Sequence, residues 1–413
     1  MNQSFTPREF IDKINAESTG PAFDPYGVKG LTIKQQEGSG LDPLAQAKEE
    51  FAKEKAKNTP EGKVAELERQ IEAMKNWLIE DGRYTPEKVN NIIQSLKVEY
   101  NEETQQAEVL GNLHLIGLTS AEGLELPDSI GGSLGLDSLT SAKDLKLPTS
   151  IGHGLYLFNL ASAEDLQLPD SIGGDLGLIR LTSAEDLQLP DFIGGSLLLD
   201  RLNSAEGLTL PTSIGGDIHL YSLTSAKDLK FPTSIGGYLN LKKLKSVEHL
   251  TLPTSIGGYL NLSGLTSAEG LQLPDSIGRD LYLERLTSAE GLQLPDFIGG
   301  SLLLNSLKSA KHLQLPDNLS GHLNLRSLKS AEGLQLPDSI GRDLYLSGLT
   351  SAEGLQLPDF IGGNLDLRSL TSAEGLELPA SAGRLFLQSL TSAERDQLRA
   401  QRPDLAYKIE PKP

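Results

Sequence analysis

Six histidines are the residues of this chain best suited to ligate a transition metal or to act as a general base. No two of them stand at metal-ligand spacing, and the chain contains no cysteine, which excludes thiolate sites and disulfides. We therefore predict no metal centre and no cofactor. The histidines are His114, His153, His219, His249, His312 and His322.

Carboxylates and hydroxyls recur in columns, and both could in principle do chemistry. Aspartates stand 21 residues apart at five successive positions from Asp275 to Asp359, and carboxylates on adjacent strands about 5 Å apart could attract a cation. The spacing lacks the short Gly-rich nonapeptide of calcium-binding β-rolls, so we interpret the column as solvated. A serine column (Ser129, Ser150, Ser171) has no partnered histidine and suits turn hydrogen bonding. No phosphate-binding glycine motif occurs, and we expect a protein that is not an enzyme.

These columns arise because the chain repeats itself. The string TSAEGLQLPDFIGG stands at 287–300 and again at 350–363, an interval of 63 residues or three times 21. A Leu-x-Leu-Pro phrase recurs every 21 residues from Pro127 to Pro379. A fixed period of this length is typical of a solenoid, and we predict about 14 coils of 21 residues with parallel strands.

Each coil contains two Leu-x-Leu pairs, such as 134–136 and 145–147. Period-2 alternation predicts a strand at each pair, with both leucines inward and the middle residue outward. The first glycine of Ile-Gly-Gly, for example Gly152, is expected to adopt positive φ, and the proline is expected to end the second strand. Thr-Ser-Ala-Glu predicts one helical turn at a corner.

The ends of the chain differ from the repeat. Residues 1–41 are predicted to be a flexible arm with a short helix, and residues 42–111 a helical N-terminal region that caps the solenoid. The solenoid is assigned to 112–390. In the final copy a helix can run from Thr391 to about Arg402, so 391–413 is predicted to be a C-terminal capping helix and tail.

LPDSIG followed by a Leu-x-Leu strand resembles the leucine-rich repeat superfamily over residues 112–390. The resemblance implies right-handed coils, a parallel sheet with concave strands at Leu134-Gly135-Leu136 and its equivalents, and protein binding. The family's ladder asparagine is replaced by leucine at Leu139 and its equivalents. A flatter two-sheet β-solenoid therefore remains the alternative.

Charge and hydropathy restrict the partners. The formal net charge is −19, which argues against nucleic acid and anionic membranes as partners. No signal peptide and no apolar run near ~20 residues is present. We expect a soluble, cytoplasmic protein without membrane insertion, with non-classical secretion as the alternative.

The outward residues of the two strands differ. Those of the second strand are polar, including five consecutive glutamines from Gln272 to Gln356, whereas those of the first strand include aromatics. Exposed aromatics beside polar groups are typical of interfaces. We therefore predict a binding scaffold for a protein partner; a glycan-binding surface and a purely structural spacer or adhesin stalk are the alternatives. The predicted binding residues are Tyr156, Phe158, Tyr221, Tyr238, Asn240, Tyr259, Asn261, Tyr282 and Tyr345.

Overall fold

The structure is a computed structural model that describes residues 49, 52–102, 105–227 and 229–410. The predicted N-terminal arm, residues 1–41, lies outside the described residues. By internal contacts the chain divides into two compact units, Met1–Gly62 and Lys63–Pro413, and the description below concerns the second.

In the part of the chain that the structure describes, the α-helices with complete bounds are α1 (Pro60–Glu80), α2 (Pro86–Gln94) and α3 (Ser392–Gln401); residues 52–57 are also helical, and a 3-10 helix lies at Ala406–Lys408. Proline occupies the first turn of α2, whose N-cap Thr85 accepts a hydrogen bond from the backbone N–H of Lys88. Thr391 and Glu394 form a reciprocal capping box at the start of α3, as the sequence predicts. Among the described residues, no helix is long and apolar enough to span a bilayer.

Almost every strand is two residues long. In chain order they are β1 (Lys97–Asn101), β2 (Gln106–Leu110), β3 (Leu113–His114), β4 (Ser129–Ile130), β5 (Leu134–Gly135), β6 (Ser150–Ile151), β7 (Leu155–Tyr156), β8 (Ser171–Ile172), β9 (Leu176–Gly177), β10 (Phe192–Ile193), β11 (Leu197–Leu198), β12 (Ser213–Ile214), β13 (Ile218–His219), β14 (Ser234–Ile235), β15 (Leu239–Asn240), β16 (Ser255–Ile256), β17 (Leu260–Asn261), β18 (Ser276–Ile277), β19 (Leu281–Tyr282), β20 (Phe297–Ile298), β21 (Leu302–Leu303), β22 (Asn318–Leu319), β23 (Leu323–Asn324), β24 (Ser339–Ile340), β25 (Leu344–Tyr345), β26 (Phe360–Ile361), β27 (Leu365–Asp366), β28 (Leu385–Phe386) and β29 (Ile409–Glu410).

The strands form three sheets. Sheet A has 11 strands in the order β1-β2-β4-β6-β8-β10-β12-β14-β16-β18-β20, and sheet C has three, β22-β24-β26. Sheet B has 15 strands, from β3 through each Leu-x-Leu strand to β28 and β29. Apart from the antiparallel β1–β2 hairpin, successive coils pair in parallel with a shift of 21 residues, for example Leu239 with Leu260. The predicted repeat β-solenoid of about 14 coils, with helices near both ends, is confirmed.

The core is a continuous column of leucine, isoleucine and alanine. In the coil that begins at Leu134, the side chains of Leu134, Leu136, Leu139 and Ala142 are inaccessible to solvent. Two turns close the coil, because the N–H of Leu139 bonds to the C=O of Leu136 and that of Leu145 to the C=O of Ala142. A single coil cannot bury these side chains by itself, so stacking supplies the stability.

The second predicted strand is wrong. The Leu-x-Leu stretch before each proline forms no regular ladder, and the second sheet is built instead by the Ser-Ile or Phe-Ile pair after the proline. Two positions of the predicted strand cannot donate a hydrogen bond to a neighbouring coil. The N–H of Leu145 already bonds to the C=O of Ala142, and Pro148 has no N–H. Proline therefore precedes the strand and does not end it.

Two turn predictions are also corrected. The Ser-Ala-Glu-Gly phrase forms a tight turn and no helix: Ser120 Oγ accepts from the N–H of Glu122, and positive φ falls at Gly123. Aspartate or histidine takes this left-handed position in other coils, as at Asp144 and His249.

The first glycine of Ile-Gly-Gly is needed for space and not for positive φ. A Cβ on Gly152 would lie 2.3 Å from the carbonyl oxygen of Gly131, and a Cβ on Gly173 would lie 2.0 Å from that of Gly152. The glycine column thus lets neighbouring coils approach closely enough to form sheet A.

The one serine in this column coincides with the break between sheets A and C. Ser320 stands where Gly299 and Gly341 stand in the adjacent coils, and β20 and β22 do not pair. The contacts of neighbouring glycines place a Cβ about 2.2 Å from the preceding carbonyl oxygen, so a serine here disfavours the pairing of β22 with β20, while the N–H of Gly321 still bonds to the C=O of Gly300 at 3.0 Å and the sheet-B strands of the two coils still pair.

Both ends of the core are covered. Met74 and Leu78 of α1 are fully buried with the solenoid leucines, and Gln70 exchanges two hydrogen bonds with Asp128. At the other end Leu398 and Ile409 are buried, and β29 adds a final parallel strand to β28.

Candidate binding surface

The outward side of sheet B presents three residue columns. Position one is the residue before the first inward leucine, position two lies between the two leucines, and position three follows the second. In the coil that begins at 238 these are Tyr238, Asn240 and Lys242.

Position one usually has a structural duty that sequence reasoning missed. Asp175 Oδ1 accepts from the N–H of Ser196 at 2.7 Å, and Ser196 Oγ accepts from the N–H of Asp217 at 3.0 Å. Asp217 Oδ1 accepts in turn from the N–H of Tyr238 at 2.8 Å. We call this chain of bonds the position-one ladder. The recurrence of Asp, Ser and Asn before the first leucine of each coil is the sequence pattern that could have predicted this ladder.

Two consecutive coils put tyrosine at position one in place of a short polar side chain. Tyr238 directs its hydroxyl to the hydroxyl of Tyr221 at 3.3 Å and to Nε2 of His219. The hydroxyl of Tyr259 accepts from Asn240 Nδ2 at 3.3 Å. Neither hydroxyl is directed at the backbone of the next coil, so the ladder stops where these rings lie.

The two tyrosines belong to a larger group that we call the aromatic cluster: Tyr221, His219, Tyr238, Tyr259 and Tyr282. The rings of Tyr238 and Tyr259 stack with centroids 4.2 Å apart and planes 9° apart. Tyr282 packs edge-on against Tyr259 at 5.6 Å, and His219 lies 4.9 Å from Tyr238 and 5.0 Å from Tyr221. The cluster extends over four coils without interruption.

Three phenols of the cluster, those of Tyr221, Tyr238 and Tyr282, have a raised pKa and are neutral at physiological pH. Partial burial raises the pKa of Tyr221 and Tyr238 above the ordinary value. Burial, together with the Asp280 carboxylate that accepts the Tyr282 hydroxyl at 3.1 Å, raises the pKa of Tyr282 to about 12. Phenols that hold their protons so firmly suit hydrogen bonding and contact better than nucleophilic chemistry.

Charged groups border the cluster. His219 Nδ1 lies 3.7 Å from Asp200 Oδ1, and the ammonium of Lys242 lies 4.9 Å above the ring of Tyr221. His219, Asp200 and Lys242 were absent from the predicted site, because their contacts join different coils.

The other predicted residues occupy separate places. Tyr156 and Phe158 pack together at 5.3 Å, and Tyr345 lies 6.0 Å from His322. Asn240 is buried, and its Oδ1 accepts from the N–H of Lys242; Asn261 holds Ser263 in the same way. These two asparagines support the turn after the strand and lie beneath the aromatic surface.

The second sheet has apolar residues on its outward side, because it is built by residues that the sequence did not assign to a strand. Phe192, Phe297 and Phe360 are its outward residues in three coils and are about half exposed. The glutamines, such as Gln293, are exposed but lie outside the strands. The three phenylalanines are at least three coils apart, so they form no continuous patch.

Within the described ranges, no group of three or more His, Asp or Glu side chains is arranged to hold a metal ion. The arrangement therefore offers apolar contact area and hydrogen-bonding tips. No protein-family model, curated protein or solved structure matches this chain.

Proposed function

We propose that this protein is a non-enzymatic scaffold that binds a protein partner through the outward face of sheet B, centred on the aromatic cluster. One observation carries the proposal. At position one, where a short polar side chain usually bonds to the next coil, two consecutive coils carry tyrosine. The two tyrosine side chains do not make the ladder bond and instead form a half-exposed surface, which indicates a role other than holding the coils together.

The composition of the cluster favours a macromolecular interface. Tyrosine is enriched at energetically dominant interface positions, because a rigid ring supplies much contact area and its hydroxyl still makes a hydrogen bond. The cluster contains four tyrosines within reach of one another.

The ring orientations favour protein over glycan. Sugar rings stack on the free faces of aromatic side chains. Here Tyr238 and Tyr259 stack on each other, Tyr282 packs against Tyr259, and the Lys242 ammonium lies over Tyr221. The ring edges remain for a partner, and each hydroxyl, already bonded within the protein, has a further lone pair that can accept a hydrogen bond from a polypeptide.

Membership of the leucine-rich repeat superfamily is part of this proposal. It is supported by the Leu-x-Leu strand that follows LPDSIG and by the parallel pairing of those strands. The hydrogen-bonding ladder runs at position one in this chain, whereas leucine occupies the family's asparagine position, and a second sheet replaces an irregular convex side.

The test is a comparison of partner capture. The wild-type chain serves as bait, captured proteins are identified by mass spectrometry, and the affinity of the leading partner is measured by surface plasmon resonance. The triple change Tyr238→Ala, Tyr259→Ala and Tyr282→Ala should weaken binding about thirty-fold or more, equivalent to about 2 kcal/mol.

The matched control is Gln272→Ala, Gln293→Ala and Gln314→Ala, three exposed residues that lie outside sheet B in the coils of Tyr259 and Tyr282 and in the coil after them. It should bind like wild type. Equal affinities for the two triple variants, with both folded by circular dichroism, would contradict the proposal.

A further inference from the structure

A groove lies beside the break between sheets A and C. The groove has a volume of about 530 Å³ and lies at the corner between Ile-Gly-Gly and the sheet-B strand. Its floor is glycine backbone at Gly299, Gly300 and Gly321, and Ser320 and His322 also line it. The absence of side chains on the floor leaves room for a small ligand.

Two arginines face each other across this groove. Arg279 and Arg342 replace the second glycine of Ile-Gly-Gly in coils that are three apart, and both line the groove. Three coil spacings separate their backbones by about 14 Å, a distance over which two extended arginine side chains can reach the same ligand. Among the described residues, neither guanidinium forms an ion pair or a hydrogen bond.

The break in the sheet releases a further donor. In regular coils the N–H of the first glycine bonds to the preceding coil, as Gly299 does with Ile277 and Gly341 with Leu319. Ser320 makes no such bond with any described residue, so its N–H is free at the edge of the groove.

His322 also lines the groove. Its Nδ1 lies 3.1 Å from the backbone nitrogen of Asp343 and 3.2 Å from Asp343 Oδ2. Asp280 also lines the groove, and its two oxygens are occupied by Ser301 N–H and the Tyr282 hydroxyl.

The surrounding charge is unusual for this chain. The net charge is −19 overall, yet the side chains that line the groove include two cationic ones, Arg279 and Arg342, and one anionic one, Asp280. The lining therefore carries a net positive charge, which attracts anions.

From these observations we infer that the groove bounded by Arg279 and Arg342 is a binding site for a tetrahedral oxyanion, a phosphate or sulfate group. Guanidinium groups bind such oxygens with two hydrogen bonds each. Free backbone N–H groups in a concavity add to anion binding. Donors from three different coils, the two guanidinium groups and the Ser320 N–H, suit a tetrahedral anion better than a planar carboxylate. This site is independent of the aromatic cluster.

The experiment is isothermal titration calorimetry of the full chain with pyrophosphate, sulfate and citrate at low ionic strength. Pyrophosphate and sulfate should bind, and citrate should bind at least about ten-fold more weakly than pyrophosphate. The double variant Arg279→Gln and Arg342→Gln should lose about ten-fold or more in pyrophosphate affinity. The charge-matched control, Arg285→Gln with Arg326→Gln, uses exposed arginines that do not line the groove and should bind like wild type.

A second variant tests the groove itself while both arginines remain. Asn318→Ser, Leu319→Ile and Ser320→Gly restore the regular repeat, should join sheets A and C, and should take up the free N–H. We expect a higher melting temperature and about five-fold or greater loss of pyrophosphate affinity. The inference is overturned if wild type binds neither phosphate nor sulfate, if citrate binds equally well, or if both arginine double variants lose equally. It is also overturned if the restored-repeat variant binds like wild type.

Discussion

At the residue scale, the tyrosines at position one replace one stabilising contact with another. A neutral side-chain hydrogen bond contributes about 0.5–1.5 kcal/mol, and an aromatic pair contributes a similar amount, about 0.5–1.5 kcal/mol beyond its buried area. The stack of Tyr238 on Tyr259 can therefore offset the lost ladder bond. The exchange is close to neutral for folding, so stability alone gives no reason for two adjacent tyrosines.

The raised pKa of Tyr282 predicts how stability depends on pH. The pKa of Tyr282 is about 12 in the folded chain against an ordinary value of 10.0. Between these values the unfolded chain loses the proton while the folded chain keeps it, so stability falls as pH rises. Stability should thus be unaffected by this group below about pH 9 and decline between pH 10 and 12, which urea melts at each pH would measure.

Tyr282→Phe is the matched variant for this titration. It removes the ionisable hydroxyl and keeps the ring that packs against Tyr259. Its decline over pH 10–12 should be shallower than that of wild type, and the phenolate absorbance near 295 nm should lose a late-titrating component. An unchanged late component would show that Tyr282 titrates normally.

At the element scale, the sequence predicts the strand that faces the leucine core but misplaces its counterpart. Leu-x-Leu describes inward side chains equally well on both sides of the coil, because Leu145 and Leu147 also pack against the core. Strand pairing depends on free N–H groups and close backbone approach, and those lie at Ser150–Ile151 beside Gly152. The period of the side chains therefore predicts which residues are buried, but it does not predict which backbone groups pair between neighbouring coils.

Glycine at two corners of the coil therefore has two different causes, and substitution should separate them. A Cβ on Gly257 would lie 2.2 Å from the carbonyl oxygen of Gly236, so Gly257→Ala should lower the free energy of unfolding by about 1–3 kcal/mol. Gly270 has φ +75°, a conformation that Asp144 and Asp165 also adopt, and Gly270→Asp should cost less than about 1 kcal/mol.

Denaturant melts of the two variants, followed by circular dichroism, would compare these costs. If Gly270→Asp destabilised the protein more than Gly257→Ala, close approach would not explain the Ile-Gly-Gly glycine. The break at Ser320 already provides a natural instance of the first substitution, because sheet pairing is lost there.

At the scale of the solenoid, the sequence did not predict the contacts between coils. Repeat length, core leucines and the capping box at Thr391 follow from spacing within one coil. The ring stack, the position-one ladder and the groove at Ser320 each join residues about 21 positions apart or more, and their geometry depends on how closely coils stack. Tyr221, Tyr238, Tyr259 and Tyr282 proved to be neighbours, whereas the predicted Tyr156 and Tyr345 lie elsewhere.

The C-terminal end contains more capping contacts than its helix alone. Arg402 donates to the carbonyl oxygens of Leu378, Pro379 and Ala380, and Lys408 donates to that of Ala382. These carbonyl groups belong to the last coil, and no further coil follows whose N–H groups could donate to them. The end is thus closed by apolar burial, by a final strand and by cationic donors together.

Deletion of residues 395–413 should therefore expose the last coil. It removes Leu398, Leu405 and Ile409, which are at most 3% exposed, and leaves β28 as an unpaired edge next to apolar core. Open edges of this kind associate with other chains, so size-exclusion chromatography with light scattering should detect end-to-end assemblies, and the melting temperature should fall. Tyr407→Ser is the control, because Tyr407 is 82% exposed in the same segment and its loss should change neither quantity. A truncated chain that stays monomeric and melts like wild type would mean that the last coil needs no cover, and that α3 and β29 serve some purpose other than closing the core.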